Sequence, residues 1–167
     1  MRVRYSIVIA LVSVLAITSS VANANTGFVV SLSGLNEVPP NASPASGTAF
    51  AVLDNTGTIL TYSVTYSGLL APRTASHFHA IAAPGANASV QLPIAAGGPT
   101  SDSFSGSGAV NATLLTGLTT PSGDGSVKVY LNVHSSQFPG GEIRGQLVPD
   151  ATPTHNVSWG RIKALYR

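Results

Sequence analysis

A chain of 167 residues with no cysteine suits one packed domain, and an ordinary apolar core rather than disulfides must hold it. Its pI of about 9.2 misleads, because Arg2, Arg4, Arg161, Lys163 and Arg167 lie near the ends. Between residues 25 and 150, Arg73, Lys128 and Arg144 stand against six acidic residues, a net of −3, which excludes nucleic-acid binding.

The chain opens with Arg2 and Arg4, an apolar run over residues 7–17, and Ala22-Asn23-Ala24. These are the three parts of a secretory signal, and the run is too short to span a bilayer. The expectation is a signal peptide over 1–24 cleaved near Ala24. The mature chain is then secreted or periplasmic, with no transmembrane segment and no lipidated cysteine.

From there the pattern repeats every two residues. Leu60, Tyr62, Val64 and Tyr66 alternate with Thr61, Ser63 and Thr65, and Val127, Val129, Leu131 and Val133 alternate with polar neighbours. Both read as half-buried strands. Further strands are expected over 28–35, 47–53, 75–81, 90–94, 103–114 and 142–148. Turn signals such as Asp54-Asn55-Thr56-Gly57, Gly97-Gly98-Pro99 and Pro139-Gly140-Gly141 separate them. About eight short strands with no helical period between them predict an all-β fold, an antiparallel immunoglobulin-like or Greek-key sandwich or barrel over 25–148. Residues 149–157 read as a linker. Residues 158–167 read as a short amphipathic helix, Ser158 its N-cap and Trp159, Ile162 and Tyr166 on one side.

Two strands carry histidines. His77 and His79 flank Phe78, and His134 follows Asn132-Val133. Alternation puts His77 and His79 on one face, opposite Phe78, and puts His134 opposite the aliphatic face of its own strand. Three imidazoles so placed form a candidate site for copper or zinc. The competing reading is architectural, with the histidines bonding loop backbone or each other. Glu142 and Arg144 lie two apart on one strand face. They read either as an exposed pair worth under about 1 kcal/mol, or as groups next to the site, Glu142 accepting from a histidine and Arg144 steering an anion. Asn132 is a further candidate beside the metal. Glu37, before Pro39-Pro40, reads as a turn-fixing residue, and His155 as solvated. Neither a nucleophile elbow nor a phosphate-binding loop is present in the sequence.

The segment Leu32-Ser33-Gly34-Leu35-Asn36-Glu37-Val38-Pro39-Pro40 followed by Ala45-Ser46-Gly47-Thr48-Ala49 resembles the opening of a CHRD domain. This module is repeated in chordin and common in bacterial secreted proteins. Ala75-Ser76-His77-Phe78-His79 resembles the family's central His-x-His motif, and residues 132–146 resemble its closing motif. The resemblance implies an immunoglobulin-like β-barrel and leaves the activity open. A looser resemblance, to copper/zinc superoxide dismutases, implies copper chemistry on His77, His79 and His134 with Arg144 near the metal. This sequence lacks a further histidine between His79 and His134 and lacks the disulfide cysteines. The leading expectation is therefore a non-enzymatic binding module for an unknown extracellular ligand or protein, holding one copper or zinc ion. A dismutase-like enzyme and a metal-free structural or adhesive domain are the alternatives.

Overall fold

The computed structural model describes residues 25–150. The expected signal peptide, all but the start of the linker and the C-terminal helix lie outside the described residues.

Nine strands follow one another: β1 (Thr26–Ser33), β2 (Ser46–Leu53), β3 (Ile59–Ser67), β4 (Arg73–Ala80), β5 (Val90–Ala95), β6 (Asp102–Ala109), β7 (Val129–Ser135), β8 (Ile143–Gln146) and β9 (Val148–Pro149). A 3₁₀ turn (Gly34–Asn36) follows β1, and a helix α1 (Ala112–Thr119) lies between β6 and β7. Eight strands form one antiparallel sheet in the order β5-β4-β7-β8-β1-β2-β3-β6, and β9 pairs with β1. The sheet curls until its outer strands nearly meet. The Tyr62 hydroxyl of β3 donates to the Ile94 carbonyl of β5 at 3.2 Å. A β-carbon at Gly108 of β6 would sit 2.6 Å from Leu92 of β5, so glycine permits this close approach. The expected antiparallel barrel is what forms.

The alternation seen in β3 is real: Leu60, Tyr62, Val64 and Tyr66 are buried while Thr61, Ser63 and Thr65 are exposed. They join Phe28, Leu32, Phe78, Leu131, Val133 and Ile143 in one core. Burying each such side chain stabilises the fold by about 1.5–3 kcal/mol. β7 is different, for both of its faces are covered. Its inner face is aliphatic core. Its outer face lies under the segments after β1, after β4 and after β7, and the histidines sit there.

The helix α1 departs from the sequence reading, which carried a strand through Leu114. The strand stops at Ala109, and the Asn111 side chain caps the helix, accepting from Leu114 N at 2.8 Å. Leu114 and Leu118, one turn apart, enter the core. Thr113, Thr116 and Thr119 lent the segment a β-like composition, and only the Asn111 cap with the four-residue leucine spacing spoke for a helix. The strand expected over 142–148 divides as well. Leu147 buries its side chain between β8 and β9, and its N–H donates to Val129 O at 2.9 Å.

A three-histidine cluster on the outer barrel face

β4 and β7 are antiparallel neighbours in a register that pairs Ala75 with His134, His77 with Asn132 and His79 with Tyr130. Phe78 and Val133 are fully buried in the core. The pleat therefore turns His77, His79 and His134 to the outer face, as their spacing predicted. The ring centroids of His77 and His134 lie 4.9 Å apart, those of His77 and His79 5.6 Å, and those of His79 and His134 6.2 Å. One nitrogen from each ring lies within 4.8 Å of the other two.

Backbone carbonyls decide which nitrogens these are. A carbonyl only accepts, so a ring nitrogen facing one must carry the proton. His134 Nδ1 donates to Pro139 O at 2.9 Å, and His79 Nδ1 donates to Ala88 O at 3.0 Å. Each ring thus keeps its lone pair on Nε2. His134 Nε2 faces His77 Nδ1 at 3.2 Å and takes its hydrogen. His79 Nε2 is buried and has no partner. Two imidazoles are held in one tautomer by carbonyls, the arrangement that orients metal-binding histidines.

Burial favours the neutral form of all three rings. Burial pushes His79 down to about 4, with the nearby His77, His134 and Arg144 adding to the shift and the Ala88 bond opposing it. Burial and then His134 lower His77, and burial lowers His134 against the pull of Pro139. Neutral imidazole is the form that binds a metal.

A stack of three groups closes one side. The His79 and Tyr130 rings lie 4.6 Å apart and nearly parallel, and the Arg144 guanidinium carbon lies 3.5 Å from the centroid of the Tyr130 ring. Arg144 also donates to Asn87 Oδ1 at 3.0 Å and Ala86 O at 2.7 Å. An open cleft of about 440 Å³ lies beside His77, lined by Thr74, Ala75, Pro93 and Ile94.

The remaining candidates make their hydrogen bonds to groups other than the histidines. Glu142 and Arg144 are not an exposed pair, for they are 0% and 1% exposed. Glu142 Oε1 accepts from Leu70 N and from Ser43 Oγ, each at 2.7 Å. Asn132 donates to Glu37 Oε2 at 3.4 Å. Glu37, expected to fix a turn, is buried at 6% exposed. Sequence reasoning missed Tyr130 and read Glu37 only as a turn-fixing residue. The signal for Tyr130 was available, since it shares strand parity with Asn132 and His134. No local signal marks Glu37, whose burial comes from a loop folding onto residues a hundred positions away.

A comparison with protein families matches residues 28–147 to the CHRD domain. The comparison with curated proteins found no match. Among the described residues no helix is long and apolar enough to cross a membrane.

Proposed function

The chain belongs to the CHRD-domain family, and from that premise we propose that it is an exported binding module holding one copper or zinc ion on His77, His79 and His134. The observation that carries this reading is the buried, unpartnered Nε2 of His79 in a cluster whose other two rings share a single hydrogen. A histidine kept for architecture has its ring nitrogens hydrogen-bonded, and a buried nitrogen without a partner is a standing penalty.

The ligand atoms would be Nε2 of His79, Nε2 of His134 and Nδ1 of His77. The first two are already deprotonated at that nitrogen, and His77 moves its proton from Nδ1 to Nε2 at the solvent side. Metal–nitrogen bonds near 2.0–2.1 Å set tetrahedral nitrogens about 3.4 Å apart. The 3.2 Å separation of His77 and His134 already suits that, and His79 must close in. Bound there, the ion would supply a Lewis-acidic centre with a coordination position left for an outside ligand. Imidazole donors favour copper or zinc over the oxygen-seeking cations.

The dismutase-like reading asks Arg144 to attract an anion. That side chain lies stacked on Tyr130 and bonded to Asn87 and Ala86, which favours the binding module. Export rests on the signal pattern of residues 1–24 and is read out by N-terminal sequencing of the exported protein, expected to begin at Asn25.

The test is equilibrium dialysis of untagged residues 25–167 against Cu(II), Cu(I) or Zn(II), with metal measured per chain. One ion per chain, lost in His77→Ala/His79→Ala, is expected. Weak binding that the double variant retains would overturn the reading and return the histidines to the architecture.

A further inference from the structure

Beside the histidines, on the same outer face, two buried oxygens near Gly141 lack a hydrogen-bond partner. Glu37 and Asn132 are 6% and 4% exposed. The Asn132 amide nitrogen donates to Glu37 Oε2. The two other oxygens, Glu37 Oε1 and Asn132 Oδ1, are both buried and both without a partner. Both border the same point, since a β-carbon at Gly141 would lie 2.6 Å from Glu37 Oε1 and 2.5 Å from both Oδ1 and Nδ2 of Asn132. An ionised carboxylate only accepts, and so does an amide oxygen. Turning the amide over exchanges its oxygen and nitrogen and still leaves one acceptor facing another.

A single proton satisfies both. We propose that Glu37 is protonated in the folded domain, with Oε1–H donating to Asn132 Oδ1 while Asn132 Nδ2 donates to Glu37 Oε2, forming a buried proton-binding site closed over by Gly141. The proposal stands whether or not a metal binds.

Burial, rather than the charged groups around the pair, favours the protonated acid. Arg144 on β8 is the nearest cation and favours the ionised acid, but burial outweighs it, and the Glu37 carboxyl is pushed up to about 7. Asp124 and Arg144 line the same cavity of about 560 Å³ as Glu37, and Asp124 stands in solvent there, where water screens its charge. Glu142, next to Gly141, accepts from Leu70 and Ser43 on Oε1, and its buried Oε2 has no partner. His77 on β4 lies opposite Asn132 in register, and burial and His134 favour its neutral form.

The site has a mechanical consequence. The loop carrying Glu37 is stitched to the connection between β7 and β8, because Asn41 Nδ2 donates to the carbonyls of Gly141 at 3.4 Å and Glu142 at 3.1 Å. That connection holds Pro139, whose carbonyl aims His134. Loss of the proton buries a charge against Asn132 that Arg144 only partly offsets, and loosens this latch at its centre.

The chain has two glutamates, Glu37 and Glu142, so carbon NMR of the side-chain carboxyls resolves the question directly. One carboxyl is expected to titrate near pH 7, well above the usual value of 4.5, and to vanish in Glu37→Gln. Glutamine reproduces both hydrogen bonds with no proton to lose, so its unfolding midpoint is expected to match the wild type below pH 5 and to exceed it above pH 7. A Glu37 carboxyl titrating near 4.5, or a glutamine variant whose pH profile runs parallel to the wild type, would overturn the proposal. Should the variant fail to fold, the wild-type titration decides alone.

Discussion

His79 lies flat against Tyr130, the two rings 4.6 Å apart and within 5° of parallel, and the Tyr130 hydroxyl meets the same residue, Ala88, that fixes the His79 tautomer. Ala88 N donates to that hydroxyl at 3.1 Å. One tyrosine therefore sets the plane of the histidine and the position of the carbonyl that orients it. Tyr130→Phe keeps the stack but strips Ala88 N of its acceptor, a loss of about 1 kcal/mol. Tyr130→Leu removes the stack and the cation–π contact with Arg144 as well, and about 3 kcal/mol is expected. Urea unfolding separates the two. Equal losses would show that the ring faces contribute nothing.

The pH dependence of stability has two opposed parts. His79 has a folded value near 4 against an ordinary 6.5, so between these pH values the unfolded chain binds more protons. Stability from this source is full above pH 6.5 and is lost as pH falls toward 4. His77 and His134, also lowered by burial, act in the same direction. Glu37 runs the other way. Its folded value near 7 exceeds the ordinary 4.5, so its contribution is full below pH 4.5 and is lost as pH rises through 7. The wild type should show a broad maximum of stability near pH 6. In Glu37→Gln only the histidine part remains, and stability should climb to pH 6.5 and then hold. Urea midpoints taken every half unit from pH 4 to 8 distinguish a plateau from a maximum.

Much of the barrel was legible because its signal is local. In β3, inward and outward residues alternate without a break, and the outward positions of His77, His79 and His134 followed from the burial of Phe78 and Val133. What the sequence hid is the cover on the outer face of β7. Asn132 and Arg144 look like surface residues by parity, yet they are 4% and 1% exposed, because loops from three separate parts of the chain fold over them. Alternation reports which face a residue takes and not what lies above that face. The helix α1 was hidden for a different reason, since Thr113, Thr116 and Thr119 carry the composition of a strand.

Gly141 is where the cover is tightest. Its φ of 131° is a conformation that residues with a β-carbon adopt at a penalty of about 1–3 kcal/mol. An alanine methyl would also strike the Asn132 amide and Glu37 Oε1. Gly141→Ala should therefore destabilise the domain by about 3 kcal/mol or more, and should shift the His134 ring resonances, since the Phe138–Gly141 turn carries Pro139. A variant as stable as the wild type would show that the connection between β7 and β8 yields easily, which the Glu37–Asn132 pair beneath it does not permit.

Gly117 gives a contrasting test, because helix propensity and packing point in opposite directions there. In an exposed helix, glycine to alanine gains about 1 kcal/mol. Gly117 instead packs against β7 and β4, where a β-carbon would lie 2.7 Å from Val129 Cγ2 and 2.9 Å from Ala80 Cβ. Neither neighbour is a flexible side chain, and Val129 is itself fully buried. Overpacking of this kind typically loses 1–3 kcal/mol, so Gly117→Ala should destabilise by about 1–2 kcal/mol net of the propensity gain. The displacement should travel along β4 from Ala80 to the adjacent His79, weakening its bond to Ala88, and should appear as faster hydrogen exchange at Ala80 N and in β5. A more stable variant would mean that α1 can slide away from the barrel, so that its leucines cap the core without fixing the sheet beside the histidines.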